Sequence, residues 1–283
     1  MSGAPSLAVS SWSLHETLGP MYPELAPGAG PRAAQRPFGD GRCELLGLPA
    51  LVRDELGVAR LELCHFHLPS SEPGYLDELV ARLGDAGVAL TTLLVDAGDV
   101  THPDPDERRA QRAHLRGWID VAARLGARRV RITTGAVDPD APDAVAQSAD
   151  GLAELLEHAD ERGLALLTEN WHDPLSLRPE LLLALLDRFG GRLGLCVDFA
   201  NWLPGMKEAT MRALLPRAAT IHAKAQYDAD GALDAPEFQT WLRLAHASGF
   251  AGDFVLIYAD GGDEPDALLR VKEQVLLAAG DAL

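Results

Sequence analysis

LALLTENWHDPLSLRPELLLALLDRFGGRLGLCVD, Leu164 to Asp198, sets two short apolar runs on either side of a longer one. Leu164–Glu169 reads as a buried strand and then turns abruptly polar, at Glu169-Asn170-Trp171-His172-Asp173. Pro179 opens a stretch of helical spacing that stops at Gly190, because proline suits a first helical turn and glycine ends a helix. Leu193–Asp198 reads as strand again. Strand, helix, strand predicts two parallel strands joined by a right-handed crossover. Side chains alternate along a strand. Leu193, Leu195 and Val197 therefore share one side, and Gly194, Cys196 and Asp198 share the other. The first set suits a layer of helices. The second suits a crowded interior with a carboxylate at its top. The same phase turns Ala165, Leu167 and Glu169 inward.

The alternation extends over the whole chain. Further strand-like runs are Leu7–Ser11, Ala59–Cys64, Val88–Val95, Arg129–Thr133, Ala219–Lys224 and Phe254–Tyr258. Asp104-Pro105 predicts a capped helix start, and the helix that follows ends near Gly126. EPDALLRVKEQVLLAAG, from Glu264, predicts a closing helix. Strand and helix alternating eight times in 283 residues predict a single-domain (β/α)8 TIM barrel over residues 1–283. An open doubly wound sheet would carry a G-x-G-x-x-G turn after its first strand, and LAVSSWSLHETLG has none. Gly19–Arg42 is dense in proline and glycine and predicts no regular element. It follows strand one, on the side where barrels place their active sites. A mobile surface loop and a substrate-facing lid are equal readings of it.

The net charge of −17 argues against nucleic-acid partners, whose phosphates demand lysine and arginine, and against anionic membranes. No run of about 18 apolar residues predicts a membrane span. Cys43, Cys64 and Cys196 show no CxxC spacing, so neither a disulfide framework nor a zinc knuckle is expected. The N-terminal stretch lacks a basic and then apolar leader pattern, so a cytoplasmic location is expected. A homodimer is the generic expectation for assembly.

In the seventh strand Thr220, His222 and Lys224 share a side. Three successive strands thus bring Glu169, Asp198 and His222 to one mouth. Two carboxylates and an imidazole form a natural site for Mn2+, Mg2+, Co2+ or Zn2+. Arg131 is a candidate charge partner in the lumen. Asp96 and His102 read as ordinary loop polars.

TENWHD, LCVDFANW and IHAKA resemble three blocks of the xylose-isomerase-like TIM-barrel superfamily of sugar-phosphate isomerases and epimerases, in order, spacing and strand placement. The resemblance implies that Glu169, Asp198 and His222 are metal ligands, and that Asn201 and Lys224 face the substrate or support the site. ARLELCHFHLPS, Ala59 to Ser70, resembles the family's strand-two segment. There Glu62 faces the site, and His65 and His67 are candidates for binding sugar hydroxyls. Trp12, Trp171 and Trp202 are candidates for stacking on a sugar or packing the rim.

The chain departs from the family pattern at strand eight. GFAGDFVLIYADGG places Ile257 where the family has its fourth ligand, a glutamate. Weaker metal binding is therefore expected, unless Asp260 bends back. The seventh-strand block ends in Ala225 rather than the usual aspartate. The resemblance implies a divalent-metal-dependent sugar or keto-sugar isomerase working through an enediolate, with Glu169 as the retained base and Lys224 as a further catalytic group. An epimerase would need a second base from His67, Glu62 or Lys224. A lyase or dehydratase on a related polyol and a non-catalytic sugar-binding barrel are the alternatives. An apurinic endonuclease of the same superfamily would need a basic face and a histidine-rich cluster. No glycine-rich phosphate loop is present, so an unphosphorylated, sugar-like small molecule is the expected substrate.

Overall fold

The computed structural model describes residues 5–228 and 231–281. Its strands are β1 (Ser6–Ser10), β2 (Arg60–Cys64), β3 (Ala89–Val95), β4 (Arg129–Ile132), β5 (Ala165–Glu169), β6 (Gly194–Asp198), β7 (Ala218–Lys224) and β8 (Asp253–Ile257). They pair in parallel in chain order, and β8 closes on β1. A single turn, α1 (His15–Leu18), follows β1. The outer layer is α2 (Leu48–Leu56), α3 (Pro73–Ala86), α4 (Pro105–Arg124), α5 (Ala144–Glu161), α6 (Pro179–Arg188), α7 (Lys207–Leu214), α8 (Ala235–Ala247) and α9 (Glu264–Asp281). The protein is a (β/α)8 TIM barrel. Among the described residues no helix is long and apolar enough to cross a membrane.

Local chemistry accounts for the element ends. The Asp104 carboxylate accepts the backbone N–H groups of Asp106 and Glu107 at 2.8 and 3.1 Å, which satisfies two of the free donors at the start of α4. Gly126 stops that helix at φ 71°. The first and last strands begin and end one residue earlier than expected. Ser10 is the last paired residue of β1, and its hydroxyl accepts the Trp12 N–H at 3.2 Å to start a short helical turn, while Tyr258 N–H leaves the sheet to bond Ser13 Oγ at 3.0 Å.

Burial follows the two-residue period. Val9, Leu63, Val130, Leu166, Val197 and Leu256 pack outward in one large core with the helices. The inward residues form two small clusters: Ala8, Val255 and Ile257, and Cys64, Phe66 and Leu94. The bottom of the barrel is closed by Asp253, which is ion-paired with both Arg60 and Arg129 and accepts from Ser6 Oγ at 2.5 Å.

The Pro/Gly-rich segment is pinned to the barrel by backbone hydrogen bonds and ring contacts. Met21 and Gln35 exchange two backbone hydrogen bonds of 2.8 Å, Tyr22 N–H bonds Phe66 O at 2.6 Å, and Arg42 N–H bonds Thr17 O at 2.8 Å. Phe38 packs on the rings of Trp12 and His15. Gly41 lies at φ 69°, and a Cβ there would sit 2.2 Å from the Leu18 carbonyl oxygen. Gly41→Ala therefore forces the strap off α1. It is expected to cost about 1–3 kcal/mol, read as a lower urea midpoint; an unchanged midpoint would show the strap contributes nothing.

Candidate active site

Register places the site. β6 and β7 slip by one residue between Leu195 and Cys196, so Asp198 pairs with His222 rather than Ile221. Without that slip the imidazole and the carboxylate would fall on opposite faces of the sheet. Glu169 pairs with Cys196 instead. It lies one inward step deeper than Asp198.

His222 Nδ1 stands 3.2 Å from Glu169 Oε1 and 3.6 Å from Asp198 Oδ2. Its other nitrogen, Nε2, is 2.9 Å from Glu62 Oε2. Glu62 is fully buried, and its second oxygen accepts from Thr92 Oγ1 at 2.6 Å. Burial alone would raise the Glu62 carboxyl, but hydrogen bonds from His222 and Thr92 hold it below the usual carboxylate range. Burial likewise opposes charge on His222. It is outweighed by the Glu169 and Asp198 carboxylates, which hold the imidazole well above its ordinary value.

Asn170 locks Asp198 in place. Its side chain donates to the Asp198 and Asn201 carbonyl oxygens at 2.9 and 2.7 Å and accepts the Asp198 N–H at 2.7 Å. Asp198 Oδ1 accepts the Ala200 N–H at 2.6 Å, which leaves Oδ2 towards His222.

Arg131, on β4, is 1% exposed. It is ion-paired with Asp96, and its Nε is 3.0 Å from Glu169 Oε2. Its guanidinium lies over the Trp171 ring, 5.0 Å from the centroid. The two carboxylates hold it fully charged. Asp96 is thus part of the site and not the ordinary loop polar expected. Neither oxygen of Glu169 receives an aligned hydrogen bond, although a cation stands beside each.

Above these groups lies a cavity of about 470 Å³. Its polar lining includes Ser10, Asp96, Arg131, Asp198, Asn201, His222 and Lys224, and its apolar lining includes Trp12, Met21, Cys64, Phe66, Leu94 and Ile257. Lys224 has no ion-pair partner among the described residues. The Asn201 amide nitrogen is buried without a partner. Trp171 also borders the cavity. Trp202 does not; it lies against Lys207, 4.1 Å from the ring centroid. Asp260 is exposed and contributes nothing to the cavity. Glu62 sits beneath His222 and is not among the cavity's lining residues.

The two histidines after β2 are also turned away from the cavity. His65 Nδ1 accepts the Asp96 N–H at 3.2 Å, and its ring packs edge-on to Trp118. His67 Nδ1 meets Ser11 Oγ at 2.9 Å, and the residue borders a separate hollow beside Tyr22 and Tyr75. Burial pushes His65 down to about 4 and His67 down to about 3, from 6.5. An unfolded chain binds protons on these rings below pH 6.5, whereas the folded chain resists until much lower pH, so stability is lost as pH falls through that window. His67→Gln keeps a neutral polar group and is expected to retain about 2 kcal/mol more stability than the parent chain on going from about pH 7 to pH 5. Urea midpoints at the two pH values test this, and equal losses would mean the buried ring takes up its proton as readily as it does in the unfolded chain.

Glu169, Asp198 and His222 could together hold a divalent cation. The carboxylate and imidazole donors suit Mn2+, Mg2+, Co2+ or Zn2+, and the Glu169 oxygens lack aligned hydrogen-bond donors. Glu62 against the far nitrogen of His222 is the arrangement that orients a metal-binding imidazole. Donor atoms of Glu169, Cys196 and His222 also lie within 4.8 Å of one another. Burial pushes the Cys196 thiol up to about 12, so Asp198 is the better second anion.

Residues 51–270 match the family model of the xylose isomerase-like TIM barrel, and the chain belongs to that family. Known structures share the fold. A xylose isomerase-like TIM barrel protein from Mycobacterium smegmatis, in complex with magnesium, is 19% identical with a TM-score of 0.68, and covers 99% of this chain and 98% of its own. An L-ribulose 3-epimerase is 17% identical with a TM-score of 0.71, over 98% and 95% of the two chains. A D-psicose 3-epimerase from Clostridium cellulolyticum H10, with D-tagatose, is 15% identical with a TM-score of 0.63, over 85% and 93%. No curated protein sequence matches the chain.

Proposed function

We propose that this chain is a sugar or keto-sugar isomerase that moves a proton on one face of its substrate, assisted by a divalent cation. The observation that carries the reading is the asymmetry of the cavity. Asp198, His222 and Lys224 from β6 and β7 line it, with Glu169 of β5 just beneath the lining, while β8 sets the apolar Ile257 directly beside Lys224. An aldose–ketose interconversion removes and returns a proton on one face and needs one base. Epimerisation needs a second base on the other face, and β8 and β1 offer Ile257, Ala259, Trp12 and the Ser10 hydroxyl, none of which is a carboxylate, imidazole or amine. The similarity to epimerases therefore supports the substrate chemistry more than the reaction outcome.

Glu169 would be the base, since its carboxylate is buried and lacks an aligned hydrogen bond. Lys224, unpaired at the cavity wall, would hold or supply the proton at the substrate's carbonyl oxygen. Asn201 would donate its free amide N–H to a hydroxyl. A divalent ion held by Glu169, Asp198 and His222 would polarise the carbonyl and hydroxyl oxygens and stabilise negative charge on the enediolate. The magnesium complex of the Mycobacterium smegmatis relative supports such an ion here. Trp12 and Trp171 would pack against the sugar, with Trp171 held by Arg131.

One observation favours a binding protein without turnover instead: Arg131 already stands against Glu169 and would weaken its basicity. Metal analysis of the purified chain, with deuterium exchange from D2O into a panel of ketoses, separates the two. Metal uptake with exchange is expected. Absence of both would sink the isomerase reading.

A further inference from the structure

Five large apolar side chains stand well exposed among the described residues, and three of them are on α9: Leu269, Leu276 and Leu277, at 41, 41 and 51%. Val80 and Met206 belong to other elements. A helix turns about 100° per residue, so Leu269 and Leu276 lie within about 20° of each other around its axis. Lys272 and Glu273 fall between them. Leu269, Lys272, Glu273, Leu276, Leu277 and Gly280 together line one shallow hollow of about 480 Å³, and all of them belong to α9. The helix beneath is firmly held. Lys272 Nζ donates to the Leu56 carbonyl at the end of α2 at 2.7 Å, and Gln239 of α8 donates to the Gln274 carbonyl at 2.8 Å. The opposite side of α9, with Leu268, Val271 and Val275, is already in the core. The outer leucines thus add nothing to the packing of one chain. Single exposed leucines are ordinary, whereas a contiguous group of them marks an association surface.

The order of charges on this face fits a second copy of the chain. Two copies laid parallel about a two-fold axis would set Lys272 against Lys272 and Glu273 against Glu273. Laid antiparallel, with the axis between positions 272 and 273, they set Leu269 against Leu276, Lys272 against Glu273 and Pro265 against Gly280, each pair twice. Lys272 has two further N–H donors beyond the one on Leu56, and Glu273 is exposed with no ion pair among the described residues. The chain's charge of −17 makes copies repel over most of their surface. Here acids and bases balance, since Arg270 is paired with Asp266 on the same helix. We propose that this face of α9 is the interface of a homodimer, with the two helices antiparallel across a two-fold axis. None of the residues in the hollow lines the active-site cavity, so the proposal stands apart from the isomerase reading. A patch this small belongs to the low end of specific interfaces, and a reversible dimer with a dissociation constant of about 1–100 µM is expected.

Sedimentation velocity of the full chain over about 1 to 300 µM tests it, and the parent is expected to pass from monomer to dimer across that range. Leu276→Glu, at an exposed position, is expected to weaken the dimer about tenfold or more and to leave the circular dichroism spectrum unchanged. Glu273→Lys and Lys272→Glu each set like charges together across the axis, and each is expected to weaken self-association about tenfold. Mixed in equal amounts, the two charge variants place opposite charges at both contacts, so dimers should return at about the parent's strength. That result reads the two-fold register itself and does not depend on the leucine variant. A parent chain that stays monomeric throughout, a dimer indifferent to Leu276→Glu, or charge variants that do not associate when mixed would each overturn the proposal.

Discussion

Glu169→Gln is expected to lower solvent deuterium exchange by about 10²–10⁴-fold, the contribution typical of a positioned base. The substitution keeps the size of the side chain and removes its charge. Arg131 then retains Asp96 as its partner, and His222 retains Glu62, so the barrel is expected to fold. The cation site loses one of two anionic donors, and bound metal should fall in the same sample. Exchange rate and metal content together distinguish roles. A variant that keeps its metal but loses exchange identifies Glu169 as the base, whereas loss of both identifies it as a ligand. Undiminished exchange would move the base elsewhere, with Lys224 next in line.

Arg131→Met is expected to cost about 3–5 kcal/mol, because removing one member of a buried ion pair strands the others. Glu169 and Glu62 are fully buried and Asp198 nearly so, and Arg131 is the permanent cation among them. The loss should be visible as a lower denaturant midpoint at neutral pH and should shrink in acid, as the stranded carboxylates take up protons. Arg131→Lys keeps the charge but cannot span two carboxylates with a planar fork, so it should restore only part of the loss. If Arg131→Met unfolds at the parent midpoint, the ion pairs with Asp96 and Glu169 carry no net stability.

Much of this architecture is legible from side-chain periodicity. The inward phase of Glu169, Asp198 and His222 follows from the alternation of Leu195 and Val197 with Cys196, and the apolar outer residues pack as that phase requires. The apolar residue at 257 is read directly. Three features are not legible. Asp96 follows β3 with no pattern of its own, yet it pairs with Arg131, 35 residues away. Glu62 is a substrate-facing group by the family resemblance of its segment, yet it lies under His222, 160 residues on. His65 and His67 sit in a segment whose family resemblance suggests sugar contacts, but the short helical turn His65–His67 rotates both rings into packing.

The sequence by itself determined which elements form, which face of each strand looks inward, and which acids and bases stand on that face. These are local properties: the backbone pleat repeats every two residues, and proline, glycine and capping aspartate act within a turn of where they stand. Only the tertiary structure decided that Asp198 meets His222 through a one-residue slip between strands, that Arg131 shares itself between Asp96 and Glu169, and that Ile257 stands directly beside Lys224. Those depend on how far neighbouring strands slide and which charges closure of the barrel brings together. Such contacts are settled by the free energy of burying many distant groups at once, and no single stretch of chain encodes them.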